Sequence, residues 1–184
     1  MALNKLKIRS LLVSIHLYLA SFLAPVFILL AFTGGLYLFG IERPVEKTTV
    51  AVLENYQVDP NRPDLEEHVA EILEDNGINL EFEYIRARSS SLTTRPTTRT
   101  FAVIKQTDNG AELSVNEPGL QYTLMELHKG HGPRIFRTYQ MIAGLVLCLV
   151  VIGGFAVGVM APGYRKQTLI VSAVGLGFFG IMAF

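Results

Sequence analysis

"LLVSIHLYLASFLAPVFILLAFTGGLYLF", residues 11–39, contains no charged side chain. A helix that crosses the hydrocarbon core of a bilayer needs about 20 such residues. The run therefore reads as a membrane span, extending over 10–40. Two further runs lack charge, Ile142–Ala161 and Thr168–Phe184, and read as spans over 134–161 and 168–184. Half of the 184 residues are hydrophobic, which fits an integral membrane protein better than one water-soluble domain. The first run follows Lys5, Lys7 and Arg9, as a secretory signal would. Its apolar core is far longer than a signal core and no small-residue cleavage site ends it, so it is expected to stay as an anchor.

Charge orients the chain. The 16 basic and 16 acidic residues cancel overall, but every acid lies between Glu42 and Glu126. Residues 42–137 carry 11 basic against 16 acidic side chains, net −5, whereas the flanks hold only Lys5, Lys7, Arg9, Arg165 and Lys166, net +5. The positive-inside rule then makes the tail 1–9 and the loop 162–167 cytoplasmic. The segment between the first two spans lies outside, in the periplasm of a bacterial inner membrane. No basic face is left for nucleic acid. Cys148 is the only cysteine, so no intrachain disulfide forms, and it is expected to be a small packed residue.

Residues 41–117 read as a small α+β domain. "TTVAVLENY" (48–56) is rich in β-branched residues and predicts a strand, and "DPNRP" a turn. "DLEEHVAEILEDNG" predicts a helix: Asp64 as N-cap, an apolar stripe of Val69, Ile72 and Leu73, and Gly77 as stop. "LEFEYIRA" alternates like a strand, and the polar "SSSLTTRPTTR" reads as a connection. "TFAVIKQ-TDNG-AELSVN" predicts a hairpin. Residues 118–133 read as an interfacial helix and a Gly-rich joint. Asn116 is its expected cap, Leu120, Leu124 and Leu127 its apolar face, and Gly130 its stop.

The chemistry rests on histidine. His68 reads as an ordinary surface residue. His16 sits inside the first span, where an ionisable group is a functional hypothesis by default. A hydrogen bond to a neighbouring helix is the competing role. His16 lies about 9 Å along its helix from the cytoplasmic end, and Gly153 and Gly154 about 12 Å along theirs. Glycines there would let a flat ligand approach, although Gly154 and Gly158 also form a GxxxG packing motif. A second cluster, Gly34 and Gly35 with His128 and His131, belongs to the outer end. Pro25 deprives the Ser21 carbonyl of its helical partner, and the resulting bend either packs or makes room for a cofactor.

Haem suits both clusters: imidazole axial ligands in an apolar setting, with Arg9 and Arg165 inside and Arg134 and Arg137 outside as propionate partners. A bis-histidine inner haem would need His16 from two chains, hence a homodimer. His128 and His131 with Glu126 form the alternative, an iron site. That set is incomplete as a metal motif. No GxSxG, HExxH or P-loop is present, so any redox chemistry would come from a cofactor.

"IHLYLASFLAPVFILLAFTGGLYLF" and "ELHKGHGPRIFRTYQMIAGLVLCLVVIGGF" resemble the two histidine-bearing blocks of the PepSY-associated transmembrane family. The first has a His, an apolar stretch and then Thr-Gly; the second has Leu-His, a Gly-rich joint, an Arg and an apolar helix with Gly. The resemblance implies a PepSY-like external domain and b-type haem, with His16 and His128 as ligands. It also implies the activity of the small inner-membrane ferric reductases of that family. The expectation is an electron entering from a cytoplasmic flavin or flavoprotein, passing through haem b, and reducing ferric iron or a ferric chelate outside in support of iron uptake. The competing expectations are a membrane-tethered regulatory or binding module, and a metal-binding accessory of an iron transporter.

Overall fold

The computed structural model describes residues 5–40 and 45–184, without the side chains of Lys5 and Leu6. The first four residues of the expected cytoplasmic tail, and the expected start of the α+β domain at residue 41, lie outside this range. Among the described residues, three helices are long and apolar enough to cross a membrane. They are α1 (Lys5–Leu38), α4 (Arg134–Met160) and α5 (Arg165–Ala183). The first begins five residues before Ser10, where the sequence reading starts it, and runs unbroken through Pro25. Large apolar side chains are exposed along all three, among them Phe22, Leu145 and Phe178. α5 buries none of its residues. That surface is stable only where lipid replaces water. Cys148 is exposed on α4, not packed as expected, because it belongs to this lipid-type surface.

The chain forms two compact units, Ile28–Gln140 and the pair Met1–Phe27 with Met141–Phe184. In the first unit, β1 (Glu46–Glu54), α2 (Leu65–Asp75), β2 (Tyr84–Arg88), β3 (Ser91–Arg95), β4 (Phe101–Thr107) and β5 (Gly110–Glu117) follow the end of α1. α3 (Leu120–His128) and the start of α4 follow them. The sheet is antiparallel in the order β1-β5-β4-β3-β2. Val69 and Leu73 of α2 pack on Leu92, Ala102, Ile104, Ala111 and Leu113 of the sheet to make the core. The β4–β5 hairpin closes at Thr107 and Gly110 across Asp108 and Asn109. Gly110 is obligatory there: its φ is +145°, and a Cβ would lie 2.1 Å from the Leu53 carbonyl oxygen.

Five strands form where about four were expected. The additional one is β3, within the polar stretch read as a connection. Leu92 enters the core, and buried Thr94 accepts the Ala102 N–H at 2.9 Å through its hydroxyl. A Thr-rich segment thus makes a strand by pairing its own polar atoms, and β-branched Thr suits the pleat. Residues 80–83 of the alternating "LEFEYIRA" are not strand. Glu83 N–H still reaches the Arg95 carbonyl at 2.7 Å, but Pro96, next along the partner strand, has no N–H to continue the ladder.

Asp64 stands at the N-cap of α2 as expected but without a cap bond, and the cap of α3 differs. The Asp64 carboxylate accepts from Arg62 at 2.7 and 3.0 Å and makes no cap bond. Asn116 belongs to β5, paired with Lys47 and Phe101, and extended Gly119 precedes α3 instead. Glu126 and Met125, not the expected leucine row, are the buried residues of α3, and Leu120 is exposed. His68 is not free on the surface; it stacks on Tyr56 with ring centroids 5.7 Å apart.

Candidate functional site

Helix α1 carries His16 with its ring against α4. Its Nδ1 lies 3.0 Å from the Val150 carbonyl oxygen. A carbonyl only accepts, so Nδ1 carries the proton, and in the neutral ring Nε2 keeps its lone pair. The approach depends on Gly154, four residues after Val150. A Cβ at that position would stand 3.0 Å from His16 Cε1 and 3.5 Å from Nδ1. Gly153 has nothing within 4 Å of its would-be Cβ, so only one of the expected glycine pair meets the ring. The other GxxxG glycine, Gly158, is filled by Thr168 of α5, whose Oγ1 would be 2.6 Å from a Cβ. Both positions of the motif therefore serve contacts within the chain.

His128, at the end of α3, repeats the arrangement. Its Nδ1 lies 2.8 Å from Thr33 Oγ1 of α1. The Thr33 hydroxyl has one proton and donates it to the Leu29 carbonyl at 2.6 Å. The hydroxyl must then accept from His128 Nδ1–H, which again leaves Nε2 with its lone pair. The Cε1 edge of the ring lies 3.3 Å from where a Gly34 Cβ would stand, whereas Gly35 meets nothing within 4 Å. Gln140 Nε2 donates to the His128 backbone carbonyl at 2.8 Å and fixes the end of the helix that carries it.

His131 is placed differently. Its Nδ1–H donates to Glu126 Oε2 at 2.8 Å, and Glu126 also accepts from Thr97 Oγ1 and from Arg95 Nη1 at 3.3 Å. Lys129 Nζ lies 3.6 Å from the other carboxylate oxygen. Burial would raise the Glu126 pKa, but the bonds from Thr97 and His131 outweigh it and hold the carboxyl below its ordinary value. Burial lowers the His131 pKa, and the nearby Arg95 charge adds to that, against the opposing bond to Glu126. The pair is therefore a neutral imidazole donating to a carboxylate that Arg95 neutralises. The alternative iron site of His128, His131 and Glu126 is not assembled, since His128 turns to Thr33 and Glu126 is taken up by Arg95 and Thr97. No group of three or more His, Cys, Asp or Glu gathers among the described residues.

The arginines divide. Arg134 is engaged: its backbone N–H donates to Glu83 Oε2 and its Nη2 to the Glu83 carbonyl, each at 2.9 Å, and its guanidinium lies 5.1 Å from the Tyr84 ring centroid. Arg165 Nε donates to the Val159 carbonyl at 2.8 Å. Arg137 is exposed, and Arg9 keeps a buried Nε–H without a partner. A haem iron requires an imidazole nitrogen with a free lone pair, ideally on a ring held through its other nitrogen. His16, His128 and His131 each meet that requirement once, His131 through its bond to Glu126. Sequence reasoning missed Thr33, Arg95, Thr97 and Gln140. The Thr-Gly pair at 33–34 was the one available signal, and it pointed to the segment without the hydroxyl's role.

No curated protein and no solved structure matches the chain. The model of the PepSY-associated TM region matches residues 13–172. With three helices fit to span a bilayer and an α+β unit, that match covers most of the molecule, and this membrane protein belongs to the PepSY-associated TM region family.

Proposed function

We propose that the chain is a haem-b-dependent electron-transfer protein of the bacterial inner membrane that reduces ferric to ferrous iron on the periplasmic side, in support of iron uptake. One observation carries this reading: His16 on α1 and His128 ahead of α4 are each held through Nδ1–H against an oxygen, which leaves Nε2 with its lone pair. Haem, when bound, supplies one-electron chemistry that no side chain here supplies. His16 and His128 would hold it, and Arg9 and Arg137 are the arginines left to meet its carboxylates. The inner cluster offers one imidazole, so a second one for an inner haem would come from His16 of a second copy of the chain, in a homodimer. The charge distribution supports this orientation: the net +5 flanks would face a cytoplasmic flavin or flavoprotein donor and the α+β unit the periplasm.

The test is the visible spectrum of the protein purified from cells supplied with haem. A Soret band is expected, reduced in His16→Ala and in His128→Ala and intact in His131→Ala. A colourless protein would sink the proposal and leave the tethered binding module. Full haem content in His16→Ala would remove the inner site.

A further inference from the structure

The sheet has two faces. One carries Leu92, Ile104 and Leu113 into the core, and the other carries Arg86, Arg88, Thr93 and Arg95 toward α3. Register puts Arg86 opposite Thr93 and Arg88 opposite Ser91, so no acid stands across from either arginine. The two arginines alternate along one strand, which sets their like charges side by side on the same face. Neither makes an ion pair or hydrogen bond among the described residues.

This face lines a pocket of about 230 Å³ between β2, β3, β4 and α3. Its charged lining is Arg86, Arg88, Arg95 and Lys129 against the single acid Glu126, net +3, within a segment (42–137) whose net charge is −5. Glu126 is already satisfied by Arg95, Thr97 and His131. Arg95 is only 6% exposed, yet its Nε–H has no partner. The hydroxyls of Ser91, Thr93 and Tyr122 line the same pocket and are free to donate. Tyr122 is held in place by stacking on Phe101 at 6.2 Å. Cations gathered against the sign of their surroundings, with free hydroxyls between them and an unpaired buried guanidinium N–H, make an anion receptor. A merely solvated face would interleave the two signs.

We propose that this pocket binds a multivalent oxyanion, a ligand presenting carboxylate or phosphate oxygens to Arg86 and Arg88 with the hydroxyls of Ser91 and Thr93 as further donors. Guanidinium forks suit that geometry. The ligand is either a free small anion or the phosphate of an anionic lipid headgroup. The site does not depend on haem or on reduction.

The experiment uses the full chain in neutral detergent and titrates citrate, inorganic phosphate and short-chain phosphatidylglycerol by calorimetry. The variants are Arg86→Ala/Arg88→Ala and, as a control for loss of positive charge, Arg99→Ala; all three positions are exposed. At least one probe is expected to bind. The double variant should weaken it about tenfold or more, the cost of losing charge-assisted bonds, and Arg99→Ala should leave it unchanged. Binding of citrate or phosphate supports a free anion, and binding of phosphatidylglycerol alone supports a headgroup. Three silent titrations, affinity unchanged in the double variant, or equal losses in Arg99→Ala would each overturn the proposal. Thermal unfolding of the double variant checks that it is folded.

Discussion

Thr33→Val is the sharpest perturbation of the His128 cluster. Thr33 is 1% exposed and valine has nearly its shape, so packing changes little. What disappears is the oxygen 2.8 Å from His128 Nδ1. The Leu29 carbonyl loses the hydroxyl proton but keeps the helical N–H of residue 33. The loss therefore falls on the imidazole, whose Nδ1–H is left unpaired. An unpaired buried donor costs about 1–3 kcal/mol, or about 5- to 140-fold in an equilibrium constant at 1.4 kcal/mol per decade. Removing the outer partner of a metal-bound histidine independently costs about 10–100-fold in affinity. On the haem reading, transfer of haem from the His128 site to excess apomyoglobin, followed at the Soret band in a His16→Ala background, should accelerate by that range in Thr33→Val. It should stay near the parent rate in Thr33→Ser, which keeps the hydroxyl. Equal rates in Thr33→Val and the parent would refute the claim that this hydroxyl orients the ring. Equal acceleration in both variants would refute the claim that the hydroxyl is the relevant atom.

Gly154→Ala would put a Cβ 3.0 Å from His16 Cε1 and push the ring back by a few tenths of an ångström, whereas the neighbouring Gly153→Ala meets nothing within 4 Å. The first is expected to lower the haem content or change the haem spectrum, and the second to match the parent. Glu126→Gln leaves Arg95, 6% exposed, without its counter-charge. Breaking a buried pair in this way costs about 3–5 kcal/mol, so a clear drop in the thermal unfolding midpoint is expected; a midpoint within a degree of the parent would contradict the network. Acid should also destabilise the α+β unit. The folded His131 pKa lies below its ordinary 6.5, so the unfolded chain takes up that proton first, and stability falls as pH drops through 6.5. Glu126 lies below its ordinary 4.5, and its contribution is lost in a further step as pH falls below 4.5. Unfolding midpoints measured from pH 8 to 4 should show the first decline, and His131→Gln should remove it.

The spans were legible because lipid imposes one demand, a long uncharged run, and residues 11–39 and 142–161 meet it with no help from tertiary structure. The α2 stripe and the β4–β5 hairpin were legible for a similar reason: period and turn chemistry are local. β3 was not, since its Thr-rich composition imitates a loop until Ala102 is seen to bond Thr94. The same limit governs the site. A threonine in an apolar helix commonly bonds back to the preceding turn, as Thr33 does to Leu29. Its second bond, to a histidine 95 residues later, has no local signature. Glu126 and His131, close in sequence, looked like metal ligands. Arg95, 31 residues before Glu126 and at the end of a strand that was not foreseen, turns them into an ion-pair network.

Packing and ligation are not competing roles for these histidines. In both, the glycine opposite admits the Cε1 edge of the ring, and an oxygen on the facing helix takes the Nδ1 proton. That bond joins two helices, which accounts for an imidazole at membrane depth by itself. It uses only one nitrogen, and by fixing the tautomer it leaves the other suited to a metal. Loss of stability on replacing His16 or His128 is therefore expected on either role and decides nothing about function. The deciding quantity is what Nε2 binds, so spectra of the intact protein and of variants that move the ring without removing it carry the weight.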